Sequence, residues 1–171
     1  MTDTAHAHSK GIFDGPNAEA RERVVALLTR AYWMELETVM NYIAAATNLD
    51  GVRAQEIRES LAQDVEEELG HARRFADRIK ELYGVVPGSE DFAAEQAFLQ
   101  PPVEQTDVLH VIRGVIHAET GAIEHYTRII EETEGLDPVT QDMVIAILRD
   151  EQGHRRLFEG FLREYEFEGH P

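Results

Sequence analysis

Two stretches of the chain carry the same four-residue signature, Glu68-Leu69-Gly70-His71 and Glu151-Gln152-Gly153-His154. On an α-helix, residues three apart share a face, so each signature sets a carboxylate beside an imidazole. Two further glutamates, Glu35 and Glu119, are each followed seven residues later by a tyrosine, Tyr42 and Tyr126. Glu35 and Glu68 are 33 residues apart, and Glu119 and Glu151 are 32 apart. The chain therefore reads as an internal repeat, each half supplying two glutamates and one histidine.

The neighbours of these residues at intervals of seven, which stay close together on a helix surface, say where they point. The lines are Leu28-Glu35-Tyr42, Leu61-Glu68-Phe75-Leu82, Ile112-Glu119-Tyr126 and Val144-Glu151-Phe158-Tyr165. His154 lies on its own apolar line between Ile147 and Phe161. Each line is apolar or aromatic except for one glutamate, so four carboxylates converge on a core. Unpaired, each would cost several kcal/mol to bury. No arginine occupies these lines, whereas two divalent cations would match four negative charges and accept two neutral imidazoles. Carboxylate and histidine donors suit iron or manganese better than structural zinc. Glu35, Glu68, His71, Glu119, Glu151 and His154 thus predict a dinuclear carboxylate site.

Such a site needs four helices to carry it. Gly and Pro cluster at 11–16, 84–88, 101–102 and 135–138, and the intervals are rich in the helix formers Ala, Leu, Glu and Arg. The spacing predicts helices over 17–49, 52–83, 105–134 and 138–166. Residues 1–16 read as a flexible tail, 17–166 as one bundle and 167–171 as a short C-terminal tail. Gly84 and Gly135 suit the C′ positions of the second and third helices, and Asp137-Pro138 the start of the fourth. The step at 48–51 is short enough to make the first two helices antiparallel. The segment from Gly84 to Glu104 is long for a compact domain. With a short helix over 90–99 it can run the length of the bundle, so that the second and third helices are parallel. Two antiparallel hairpins joined by one long crossover is the all-α, ferritin-like four-helix topology.

Composition removes several alternatives. The 171 residues contain no cysteine, which excludes disulfides, iron–sulfur clusters and thiolate zinc sites. The net charge of −17 opposes binding to nucleic acid, whose affinity rests on cationic contacts. No run approaches the length of a membrane span, and the N-terminus lacks a signal-peptide pattern, so a cytoplasmic protein without a membrane partner is expected.

On the paired Glu-x-x-His motifs and the two intruding glutamates, the chain resembles the ferritin-like di-iron superfamily, in its bacterioferritin and Dps-like ferritin branch. The resemblance covers residues 20–165. It implies Glu68 and Glu151 as carboxylates bridging two iron ions per chain (manganese being an alternative), His71 and His154 as ligands of one metal each, and Glu35 and Glu119 as terminal ligands. It also implies a ferroxidase that oxidises Fe(II) with O2 or H2O2, and iron storage or detoxification inside a homo-oligomeric shell. Leu69 stands where haem-binding bacterioferritins carry an axial methionine, so no haem is expected. The 20 residues after Glu151 are too few for a fifth helix, which favours a 12-subunit Dps-like shell. A non-storage di-iron or di-manganese enzyme, such as a rubrerythrin-like peroxidase or a catalase, is the alternative. Against it stand the missing cysteines and Ile116, where many rubrerythrins carry an extra glutamate.

Other residues leave choices open. Glu37 competes with Glu35 as ligand, although its counterpart in the second half is Gly121, and internal symmetry favours Glu35. Tyr42 and Tyr126 could orient ligands, carry an oxidising equivalent or simply pack. His110, His117 and Glu124 form a line of seven that reads as an accessory iron site or, more simply, a solvated stripe. Asp64, Glu66 and Glu67 read as an exposed acidic face. His6 and His8 are assigned no role.

Overall fold

The computed structural model describes residues 11–168, which form four long helices with no strand among them. They are α1 (Ala18–Asn48), α2 (Gln55–Glu81), α3 (Val108–Thr133) and α4 (Pro138–Glu168). No helix is long and apolar enough to cross a membrane among the described residues. The apolar side chains gather in two separate clusters. One end of the bundle buries Tyr42, Leu49, Ile57, Leu61, Ile112 and Phe158; the other buries Leu28, Phe75, Ile79, Tyr126, Val144 and Ile147. The end of α1 thus meets the start of α2, and the end of α3 meets α4 in the same sense, so both pairs are antiparallel hairpins. The starts of α2 and α3 share one cluster, so these two helices run parallel, as the long connection requires. Each fully buried Leu, Ile or Phe stabilises the bundle by about 1.5–3 kcal/mol. The band between the clusters is polar, and it holds the glutamates.

The helix ends explain the hairpins. Gly51, at φ +97°, makes the α1–α2 turn, and Gly135, at φ +67°, ends α3 as expected. Asp137 caps α4 by accepting the Thr140 N–H at 3.1 Å. Arg78, buried on α2, forks onto both Asp137 oxygens at 2.8 and 3.0 Å and donates to Thr140 Oγ1 at 2.7 Å. This network ties the end of α2 to the start of α4. The end of α2 departs from the sequence expectation. Tyr83, not Gly84, takes the left-handed conformation, at φ +63°. The Gly84 N–H reaches the Ile79 carbonyl and that of Tyr83 the Lys80 carbonyl, which is the Schellman pattern. Gly84 is needed for space instead: a Cβ there would lie 2.8 Å from side-chain atoms of both Ile79 and Val25.

The crossover contains no α-helix over 90–99. It makes two single 3₁₀ turns, Ser89–Asp91 and Ala97–Leu99, with extended chain between. The reason is tertiary. The buried Glu37 carboxylate accepts the backbone N–H groups of Glu95 and Gln96 at 2.8–3.0 Å, donors that a helix would use internally. Gln96 is buried too, donating to Thr38 Oγ1 and accepting from Asn41 Nδ2. Farther along, the strap lies so close to α3 that a Cβ on Gly114 would be 2.9 Å from the Phe98 carbonyl oxygen. At the other terminus, residues 11–16 do not form a loose tail. Ile12 is buried in the second apolar cluster, and Asn17 Nδ2 donates to the Gly11 carbonyl at 2.8 Å. At the C-terminal side, α4 continues through residues 167 and 168. His6, His8 and residues 169–171 lie outside the described residues.

Candidate metal centre

One helix contributes to each corner of the polar band: Glu35 from α1, Glu68 and His71 from α2, Glu119 from α3, Glu151 and His154 from α4. All six residues are buried, with exposures from 1% for Glu68 and Glu151 to 8% for His154. Their donor atoms form two groups of four, each gathered within 4.8 Å: Glu35, Glu68, His71 and Glu151, and then Glu68, Glu119, Glu151 and His154. Glu68 and Glu151 belong to both groups and stand between them. His71 Nδ1 lies 3.0 Å from Glu151 Oε1, 3.2 Å from Glu68 Oε2 and 3.8 Å from Glu35 Oε1. His154 Nδ1 lies 3.4 Å from Glu68 Oε1, 3.5 Å from Glu151 Oε2 and 4.0 Å from Glu119 Oε1. The six residues picked out by spacing are therefore brought together in one place.

The two tyrosines bind across the bundle. Tyr42 donates to Glu119 Oε1 at 2.6 Å, and Tyr126 donates to Glu35 Oε1. Each tyrosine serves the first glutamate of the other hairpin, because α1 and α3 are antiparallel and a heptad beyond one glutamate is level with the other. Behind the histidines stand two acids that the spacing argument passed over. Glu67 Oε2 lies 3.1 Å from His154 Nε2, and Asp150 Oδ2 lies 3.6 Å from His71 Nε2. An acid on the outer ring nitrogen selects the tautomer that leaves Nδ1 free as a ligand. Each directly precedes the glutamate of one Glu-x-x-His motif but touches the histidine of the other, on the facing helix, so spacing along a single helix could not reveal the contact.

The electrostatics describe a cluster short of positive charge. Burial pushes Glu35 and Glu119 well above the usual carboxylate range, and the charges of Glu68 and Glu151 push in the same direction. Burial would also raise Glu68, but the adjacent His154 and His71 rings outweigh it and hold the group at about 2. Burial alone would lower the histidines. Contacts with Glu151 and then Glu68 prevail, raising His71 to about 9 and His154 to about 12. The protons on these imidazoles stand in for cations.

Even so, the donors are not satisfied. Glu68 Oε1, Glu151 Oε1 and His154 Nδ1 are sealed from solvent. Although His71 Nδ1 comes within 3.0 Å of Glu151 Oε1 and His154 Nδ1 within 3.4 Å of Glu68 Oε1, the three atoms make no hydrogen bond of acceptable geometry among the described residues. Buried polar atoms left without a hydrogen bond are rare in folded proteins and call for an explanation. Each faces the centre of a four-residue group, and the donor set of carboxylate oxygen and imidazole nitrogen fits iron or manganese. The space left between α1 and α3 at the four glutamates is a cavity of ≈ 10 Å³, bordered also by Gln96 of the crossover.

The remaining candidates fall outside this cluster. Glu37 turns to the crossover backbone, which removes it as a competitor of Glu35. His117 stacks on Phe98 with ring centroids 3.8 Å apart, and His110 Nε2 lies 2.9 Å from the Gln100 carbonyl oxygen. Glu124 is exposed, and His110, His117 and Glu124 form no group with metal-ligating spacing among the described residues. Asp64 overturns an expectation. It is only 4% exposed rather than part of an open acidic face, because α4 packs over it and brings His154 Nε2 to 3.9 Å. Burial raises its carboxyl to about 6, against the lowering effect of His154 and with help from Glu68 and Glu67. Glu66 and Glu67 are exposed, as expected.

Comparison with known proteins agrees with this geometry. Residues 25–167 match the ferritin-like domain family. The chain is 30% identical to the "DNA protection during starvation protein" of Pyrococcus furiosus, over 82% of this chain and 77% of that protein. It is 25% identical to the bacterioferritin of Desulfovibrio desulfuricans, over 85% and 77% of the two chains. Among solved structures, a dodecameric thioferritin from Bacteroides fragilis superposes with a TM-score of 0.75 at 24% identity, covering 87% of this chain and 89% of that one. With four helices in two hairpins, one long crossover and a buried carboxylate–histidine cluster between them, the chain belongs to the ferritin-like family.

Proposed function

We propose that this protein is a ferroxidase, with Glu35, Glu68, His71, Glu119, Glu151 and His154 holding two Fe(II) ions per chain as substrate. The observation that carries the reading is the pair of four-residue groups sharing Glu68 and Glu151, with unpartnered donor atoms facing inward. Glu68 and Glu151 act as the bridging carboxylates, His71 and His154 each serve one ion, and Glu35 and Glu119 close the two ends. Manganese fits the same donors. Two Fe(II) ions supply two electrons, which with two protons reduce H2O2 to two waters or O2 to H2O2. The carboxylates offset the charge gained at each iron. Tyr42 and Tyr126 hold Glu119 and Glu35 in place.

The product Fe(III) accumulates as mineral inside a homo-oligomeric shell. A shell of 12 subunits, as in the dodecameric thioferritin whose fold this chain shares, is the assembly proposed. The net charge of −17 argues that any protection is chemical, through removal of Fe(II) and oxidant, and not through contact with DNA. Leu69 offers no sulfur ligand, in keeping with a haem-free protein, and the cytoplasm is the setting proposed for the activity.

The test is stopped-flow Fe(II) oxidation by wild type and by the double variant Glu68→Ala/Glu151→Ala, with particle mass fixed by light scattering. Rapid oxidation is expected in the wild type only, in a 12-subunit particle that retains a soluble Fe(III) core. Oxidation at the wild-type rate by the variant refutes the reading. Two ions per chain with fast peroxide turnover and no core would instead indicate a non-storage redox enzyme.

A further inference from the structure

The void at the four glutamates lies on the crossover side of the cluster. It is bordered by Glu35, Glu68, Glu119 and Glu151, and not by His71 or His154. At ≈ 10 Å³ it has about the least room that holds one water-sized molecule. Beyond it, between α1, α3 and the crossover, lies a cavity of ≈ 290 Å³. Met34, Gln96 and Ala118 line both spaces, so these side chains form the wall between the outer cavity and the glutamates.

The parts of this wall differ in freedom. Gln96 is fixed: its Nε2 donates to Thr38 Oγ1 at 2.8 Å and to the Met34 carbonyl at 3.3 Å, and its Oε1 accepts from Asn41 Nδ2 at 3.0 Å. Ala118 is too short to close a gap. Met34 is half-buried, and its unbranched side chain adapts readily to what passes it. The outer cavity also selects by charge. Its Glu37 is occupied by backbone N–H groups and its Glu95 is paired with Arg30, which leaves Glu124 and Arg128, of opposite sign. A divalent cation finds no cluster of free carboxylates there, whereas a small neutral molecule is not held back. The cavity on the opposite face, between α2 and α4, is lined instead by Asp64, Glu67 and Asp150.

We propose that the cavity between α1, α3 and the crossover is the port through which the neutral oxidant, peroxide or dioxygen, reaches the cluster, with Met34 and Ala118 as its neck. This rests on the ferroxidase reading. The oxidant then arrives where the four glutamates stand, away from the two imidazoles.

Gly121 stands at the mouth of the port, and a Cβ added there meets nothing within 4 Å. Gly121→Phe therefore fills the port without a clash, and replacing a mid-helix glycine favours the helix. Gly153→Phe is the control, because Gly153 borders the α2–α4 cavity and is equally open. Full-length protein is loaded anaerobically with Fe(II), then mixed with H2O2 or, separately, with nitric oxide, a neutral diatomic ligand of Fe(II). In Gly121→Phe the rate constants for oxidation and for nitric oxide binding are each expected to fall by about tenfold or more. Mn(II) should still bind with wild-type stoichiometry and affinity, and Gly153→Phe should keep the wild-type rate constants. Wild-type rates in a folded Gly121→Phe, or an equal slowing in Gly153→Phe, overturn the port and leave the ferroxidase reading standing. If Gly121→Phe does not fold, Met34→Ala is measured in its place. Its wider neck should raise both rate constants, and unchanged or lower values overturn the port. No Fe(II) binding in wild type overturns the ferroxidase reading itself, and the port with it.

Discussion

Tyr42 on α1 donates a 2.6 Å hydrogen bond to Glu119 on α3, and Tyr126 on α3 donates in return to Glu35 on α1. These bonds couple the two hairpins at the level of the carboxylate–histidine cluster. Both phenols are fully buried, and both have pKa values pushed well above the usual range, first by burial and then by the glutamate each one serves. They act as fixed neutral donors in the resting protein.

Removing one donor should therefore expose its glutamate to the full cost of burial. Tyr126→Phe is expected to destabilise the protein by about 1–3 kcal/mol, the penalty of an unsatisfied buried acceptor. Because the Tyr126 hydrogen bond lowers the Glu35 pKa, its loss should also shift the onset of metal binding to higher pH. Thermal melts and Mn(II) titrations against pH check both effects. An unchanged Tm would show that Tyr126 only fills space.

Metal-free protein should lose stability as pH rises. His71 has its folded pKa raised to about 9, so its contribution is complete below its unfolded pKa of about 6.5 and disappears as pH passes through about 9. Glu35 and Glu119, also raised, add cost as pH climbs above their unfolded values. Glu68 behaves oppositely: its pKa of about 2 gives stability above about 4.5 that is lost on acidification. The metal-free Tm should thus peak in mild acid and fall toward pH 9. Bound Mn(II) replaces the histidine protons, so the Tm difference between metal-loaded and chelator-treated protein should grow with pH. A difference that shrinks from pH 6 to 9 would contradict this account.

Glu37 and Glu35 are two residues apart but should fail in different ways. Glu37→Ala leaves the Glu95 and Gln96 N–H groups without their acceptor, at a cost of about 1–3 kcal/mol. Hydrogen exchange at those two amides should accelerate, while two metal ions per chain still bind. Glu35→Ala should instead reduce metal stoichiometry or affinity. Equal loss of metal in both variants would return Glu37 to the ligand set.

The Arg78–Asp137 pair should be the most sensitive polar contact outside the centre. Both partners are buried, at 5% and 1% exposure, so truncating one leaves the other as an uncompensated charge. Arg78→Ala is expected to cost about 3–5 kcal/mol in a denaturant titration. A loss under 1 kcal/mol would mean that water reaches Asp137 as readily as Arg78 does.

The local parts of this structure were legible in the sequence because helical periodicity is a local property. One glutamate in each apolar line marked Glu35, Glu68, Glu119 and Glu151 as inward-facing, and the three-residue step tied His71 and His154 to their faces. Gly135 and Asp137-Pro138 punctuated the chain where the third helix ends and the fourth begins. The length of the connection sufficed to orient the two hairpins. What depended on one element meeting another was not legible. Asp64 counted as an exposed acid until α4 covered it, and Glu67 and Asp150 gained meaning only from histidines on the facing helix. The segment 90–99 has the composition of a short helix, yet its N–H groups bond to Glu37, more than fifty residues earlier. Spacing on one helix states which way a side chain points. What it meets there is set by the alignment of antiparallel helices, and only the packed bundle determines that.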